Sequence, residues 1–125
     1  MSLPNYAYFN GEIVPYSQAH VGMLNVSLNY GLAVFGGIRG YWNEEEQQLF
    51  IFRPFDHYRR FLQSMQLLRM ETTHTPESLT SATIDLLRKE NHRQDVYIRP
   101  LGYKKDEIIG VKMHGLADDI AICSV

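Results

Sequence analysis

Residues 28–42 carry four glycines, Gly31, Gly36, Gly37 and Gly40, set among Tyr30, Phe35, Tyr41 and Trp42, with Arg39 as the one cation of the run. So dense an apolar and aromatic stretch asks for a strand-like path against a core. Glycine inside a strand costs stability unless the backbone must approach something closely or adopt a positive φ. Two readings fit. The run is either an aromatic core strand bulged at Gly36 and Gly37, or the lining of a flat, partly anionic ligand.

The chain around it supplies further strands. Residues 6–9 and 12–14 flank Asn10-Gly11, a dipeptide suited to the positive φ angles of a tight type I′ turn, and so read as a β-hairpin. Residues 15–20 connect onward, and 21–26 read as strand or extended loop. His20 stands alone beside that connection, with no second ligand at metal spacing, and reads as solvated. Residues 43–48 hold three consecutive glutamates. Neighbouring strand positions point to opposite faces, so this is a solvated hairpin tip rather than a metal site. A strand at 49–52 returns from it.

Two helices follow. Pro54 opens one over 54–68, with Asp56 near its positive end. Phe55, Tyr58, Leu62, Met65 and Leu68 or Arg69 follow helical spacing, and Phe61 widens the stripe. His57, Arg59 and Arg60 decorate this helix, and the two arginines by themselves read as a wet face. Thr75, Pro76 and Glu77 start the second helix, over 76–90, with a hydroxyl cap, an N-terminal proline and a first-turn carboxylate. Leu79, Ala82, Leu86 and Leu87 form its apolar stripe.

A strand at 96–103 then places Tyr97, Arg99 and Leu101 on one face and Ile98 on the other. Pro100 cannot donate to a ladder, which points to an edge, a bulge or a strand end. Tyr97 and Arg99 together can grip a carboxylate; a structural arginine paired with an acid is the alternative. The loop 104–115 mixes Lys104, Lys105 and Lys112 with Asp106 and Glu107, so its lysines read as solvated. Residues 119–125 form an apolar run with no turn after it, as expected of the front part of a longer protein.

Charge excludes one large class. With 12 basic against 14 acidic residues, no electrostatic footprint for nucleic acid appears. One cysteine, Cys123, rules out an intrachain disulfide and reads as a buried thiol. No signal peptide or membrane-length apolar run is visible, so a cytoplasmic protein with no membrane partner is expected.

Five motifs occur in order: Phe9 to Glu12; Tyr30-Gly31 with Phe35 and Gly37 to Arg39; Arg60; Tyr97 to Pro100; and Gly110-Val111. Together they resemble the N-terminal domain of class IV (fold type IV) pyridoxal-phosphate-dependent aminotransferases, most like the branched-chain amino-acid aminotransferases. The resemblance covers nearly the whole chain. It implies an α+β fold, an antiparallel sheet of five or six strands with two helices packed on one face.

It also implies roles. Arg60 matches the arginine that binds the cofactor phosphate, and Phe35 an aromatic wall of the substrate side-chain pocket. Tyr30 and Val111 match residues that reach across a homodimer interface. Tyr97 matches the phenol that holds the substrate α-carboxylate. Arg99 matches the arginine for the distal carboxylate of glutamate, and Arg39 belongs to the same pocket wall. The cofactor would be pyridoxal 5′-phosphate and the substrates amino acids and 2-oxo acids, with leucine, isoleucine or valine giving its amino group to 2-oxoglutarate. No metal is implied. Family members often carry glutamate where this chain has Gly36, and the family's catalytic lysine lies in a second domain, beyond residue 125. A D-amino-acid aminotransferase, an aminodeoxychorismate lyase and a non-catalytic α+β dimerisation module are the alternatives. Tyr97 to Pro100 argues against the two enzymes, whose counterparts place an arginine differently near the end of this strand.

Overall fold

A computed structural model describes residues 2–110 and 114–125. The expected hairpin is present: β1 (Tyr6–Phe9) and β2 (Glu12–Pro15) pair through Asn10 and Gly11, at φ 52° and 79°. A single 3₁₀ turn, Tyr16–Gln18, leads away from it. The run at 28–42 is not one bulged strand. It divides into the last turn of α1 (Val26–Tyr30), then β3 (Ala33–Phe35) and β4 (Ile38–Asn43).

Helix α1 was not expected, because five residues are too few to show a helical period. It forms because both its ends are satisfied. Asn25 Oδ1 accepts from Leu28 N–H at 3.0 Å, and Gly31 closes the other end at φ 69°, a left-handed value that glycine adopts without strain.

The remaining elements are β5 (Gln48–Ile51), α2 (Pro54–Leu67), α3 (Pro76–Glu90), β6 (Val96–Lys104) and β7 (Asp118–Ser124). The sheet is antiparallel and seven-stranded, in the order β2-β1-β7-β6-β4-β5, with β3 also on β6. The count exceeds the expected five or six because Gly36 and Gly37 split one path into two strands. Both halves pair with β6 in a single register: Phe35 lies opposite Leu101 and Ile38 opposite Ile98.

Pro100 sits at that interruption, inside a strand paired on both sides rather than at an edge or an end. Its carbonyl accepts from Gly36 N–H at 3.0 Å, so its backbone polar side faces the β3–β4 gap. The donor that proline lacks is missing at the one place where the ladder is already open.

Both long helices pack on one face of the sheet, as expected. Tyr58, Phe61 and Met65 of α2 and Leu79, Leu86 and Leu87 of α3 are buried against Val96, Ile98, Ile120 and Ile122. Phe55 and Leu68, placed in the apolar stripe by spacing, are exposed, and the buried stripe runs through Phe61 instead. Thr75 and Ser78 form a capping box at α3, and Thr83 Oγ1, buried, meets the Tyr58 hydroxyl. Burial pushes the Tyr58 phenol up to about 12. No helix among the described residues is long and apolar enough to cross a membrane.

Lys104 departs from the solvated-loop expectation. It ends β6 fully buried, its Nζ 2.6 Å from Asp118 Oδ1. Asp118 Oδ2 accepts from Glu71 N–H, tying the segment after α2 to β7.

Candidate functional site

Alternation along β6 sends Tyr97, Arg99 and Leu101 to the face that carries neither long helix. There Arg99 Nη2 donates to the Tyr97 hydroxyl at 2.9 Å. The guanidinium also lies over the Phe35 ring, its carbon 4.4 Å from the centroid, and 5.2 Å from the Tyr97 ring. Arg99 Nε is buried with no hydrogen-bond partner among the described residues. Arg39 stands exposed opposite Tyr97 on the neighbouring strand. Phe35, Arg39, Tyr97 and Arg99 are thus gathered on one side.

Neither arginine is paired with an acid among the described residues. Electrostatically the cluster is cationic, with aromatic walls and a buried donor left over. That combination suits a carboxylate beside an apolar group.

Gly37 makes this arrangement possible. A Cβ built there would lie 2.3 Å from the Tyr97 hydroxyl oxygen, so a side chain would displace the phenol. Gly36 faces the helix side, where a Cβ would stand 3.1 Å from the Pro100 ring and 3.7 Å from Phe61. The paired glycines therefore do different work on opposite faces.

Arg60 is not part of the open-face cluster. It lines a cleft of about 230 Å³ under the strand interruption, together with Phe35, Gly36, Gly37, His57 and Ser64. Among the described residues, no aspartate or glutamate lines this cleft. Arg59, its neighbour in sequence, turns instead to Asp56 at 2.9 Å and keeps the wet-face role. Asp56 also holds Arg53, and these two bonds hold its carboxyl below the usual carboxylate value.

Tyr30 lies apart from both. Its hydroxyl accepts from Gly110 N–H at 2.8 Å and so links α1 to the loop after β6. Val111, its expected companion, falls outside the described residues. No cluster of metal-ligating side chains occurs among the described residues.

Cys123 pairs with Arg99 across β6 and β7, half-buried; burial raises its thiol and the arginine partly offsets that. Sequence reading missed His57 and Ser64 as cleft residues. Their signal was present, because positions 57, 60, 61 and 64 share one face of a helix.

Comparison with known proteins places this arrangement in a family context. No protein-family profile matches the chain. A probable branched-chain-amino-acid aminotransferase of Aquifex aeolicus is 43% identical over 118 residues, which is 94% of this chain and 38% of that protein. The crystal structure of a branched-chain aminotransferase from Thermoproteus uzoniensis with norvaline superposes with TM-score 0.91 at 35% identity, covering 98% of this chain and 40% of that one. The Thermobaculum terrenum branched-chain amino acid aminotransferase in its holo form gives TM-score 0.88 at 40% identity, covering 99% of this chain and 40% of that one. The chain therefore spans about two fifths of the length of the proteins it resembles.

Proposed function

Because the chain matches the N-terminal domain of the class IV pyridoxal-phosphate-dependent aminotransferases, and is most like the branched-chain amino-acid aminotransferases, we propose that it forms that domain of such an enzyme. The full-length parent transfers the amino group of leucine, isoleucine or valine to 2-oxoglutarate, as a cytoplasmic homodimer whose catalytic lysine lies in a second domain beyond residue 125. The observation that carries the reading is Arg99, held on Phe35 and bonded to Tyr97 with its Nε still unpartnered among the described residues.

Such an enzyme must take an apolar branched side chain and a glutamate side chain in one pocket. Phe35 supplies a wall that either side chain can touch, and Arg99 supplies charge that only the second substrate uses. Tyr97 donates one hydrogen bond to the α-carboxylate, which fixes the amino acid in orientation. Arg39, across the ladder from Tyr97, extends the cationic wall. Tyr30, braced on Gly110, reaches toward the partner's site.

The cleft fits the cofactor's phosphate: it contains a guanidinium and no carboxylate. Arg60 would hold that phosphate from the helix side of the sheet. Pyridoxal 5′-phosphate, when bound, supplies the electron sink that stabilises negative charge at the substrate α-carbon.

Arg99→Ala in the full-length parent tests the reading. Removing one member of a desolvated charge pair costs about 2–5 kcal/mol, so kcat/KM for glutamate and 2-oxoglutarate should fall by roughly ten-fold or more relative to leucine. Equal loss in both half-reactions makes Arg99 structural and removes the branched-chain assignment's main support. A second expectation concerns the chain of residues 1–125 alone. Borohydride reduction with pyridoxal phosphate, followed by mass analysis, should leave no single stoichiometric lysine adduct; one such adduct would place a catalytic lysine within this chain.

A further inference from the structure

His57, Arg60 and Ser64 stand at i, i+3 and i+7 on α2 and line one cleft, yet the phosphate reading uses only Arg60. His57 Nδ1 lies 2.8 Å from the Arg53 carbonyl oxygen. A carbonyl only accepts, so Nδ1 carries a proton and Nε2 is the ring's free nitrogen. The anchor is itself fixed. The same carbonyl accepts from His57 N–H at 3.2 Å, and the Arg53 side chain is tied to Asp56 at 2.8 Å. The nearby acid, Asp56, is thus committed to Arg53 and Arg59. Ser64 Oγ donates to the Arg60 carbonyl at 3.1 Å, so its proton is already used. Gly37 N–H, outside both strands, makes no hydrogen bond among the described residues.

We propose that His57 Nε2 is a second ligand, beside Arg60, for the phosphoryl group this cleft takes. The proposal rests on the reading that Arg60 binds the cofactor phosphate. In the neutral ring Nε2 has a lone pair and no proton, so contact with a phosphate oxygen needs one proton between them. A phosphate monoanion brings it as P–O–H and donates to Nε2. With a dianion the ring takes a proton from water and donates instead. Either way a single N–H–O bridge forms, and Nδ1 keeps its bond to Arg53. The spacing then explains the cleft's lining: one turn of helix offers a guanidinium and an imidazole side by side, and no carboxylate competes for them.

The test uses the full-length apoprotein titrated with pyridoxal phosphate and, separately, with pyridoxal, which lacks the phosphate. Hydrogen bonds to charged groups set the scale, so His57→Ala should weaken pyridoxal phosphate about tenfold and leave pyridoxal unchanged. His57→Gln, whose amide nitrogen can stand near Nε2, should recover most of the loss. In the wild-type protein, saturating inorganic phosphate should move the His57 Nε2 nitrogen resonance toward its protonated value. The proposal is overturned if that resonance stays still, if His57→Ala binds pyridoxal phosphate normally, or if it weakens both probes alike. Arg60→Ala separates the two ideas. If it weakens pyridoxal phosphate while His57→Ala does not, the phosphate reading stands and His57 is excluded. If Arg60→Ala has no effect, the phosphate reading fails and takes the proposal with it.

Discussion

On the helix side of the sheet, Val96, Ile98 and Pro100 are buried under α2 and α3, whereas on the other side Tyr97, Arg99 and Leu101 lie partly open beside Phe35, which is 66% exposed. The same strand supplies both sets by alternation. Toward the helices these three positions follow packing: apolar and buried, with Val96 and Ile98 joined to a cluster that includes Phe61, Met65 and Leu79. Away from them the residues break packing preferences. A cation lies on an aromatic ring, a buried donor has no acceptor among the described residues, and a glycine leaves the space that a phenol fills. Groups left unsatisfied in a folded chain mark where something else is meant to bind.

The largest effect expected follows from that contrast. Phe61→Ala removes a 3%-exposed ring from the helix side and should cost about 3–5 kcal/mol. Phe35→Ala, on the open side, should stay within about 0.5 kcal/mol. Chemical denaturation of both variants measures the difference, and equal costs would break the distinction between the faces.

Gly37→Ala should come next. Its new methyl must push the Tyr97 phenol aside, at about 1–3 kcal/mol. The loss should appear mostly in the site: the bond from Arg99 to Tyr97 should go, and Tyr97 ring resonances should move more than those of Tyr58. A variant that leaves Tyr97 in place would show that the glycine serves only the backbone.

The smallest effect near neutral pH sharpens where the open face stops. Tyr103 also points away from the helices, yet it is buried, with Phe9 stacked at 6.4 Å. Burial, and then the charge of Asp119, push its phenol from 10.0 up to about 12. A raised folded value favours the neutral form, so this contribution is complete below pH 10 and is lost as pH rises toward 12. Tyr103→Phe should leave stability at pH 7 little changed and flatten the alkaline limb of a stability–pH curve. An unchanged limb would put Tyr103 back among the open residues.

Much of the helix-side architecture was legible because its signals are local and redundant. Pro76 with Thr75 marked the start of α3, Asn10-Gly11 marked the hairpin, and alternation assigned the faces of β6. What stayed hidden depends on contacts distant in sequence. Lys104 looked solvated among charged neighbours, and only its pairing opposite Asp118 in β7 buries it. Pro100 looked like an edge residue, since nothing nearby in sequence shows that its bare nitrogen meets a gap between two strands. In the site, Tyr97, Arg99 and Phe35 were named by motif, but the stacking and the unpartnered Nε required coordinates. Helix α1 escaped because its caps, Asn25 and Gly31, carry the signal and its five residues do not.

The interruption at Gly36 and Gly37 has one more consequence, for how the chain avoids misfolding. A sheet strand with apolar residues on both faces can slide by two positions and still look acceptable, because alternation is preserved. Here such a slide is penalised twice. It would set Pro100 opposite Val34 or Ile38, where the ladder needs the donor that proline lacks. It would also bring the Tyr97 ring over Phe35 or Arg39 in place of the bare Gly37. The missing hydrogen and the missing side chain work as a notch and a tooth, so that β6 meets its partner in one alignment only.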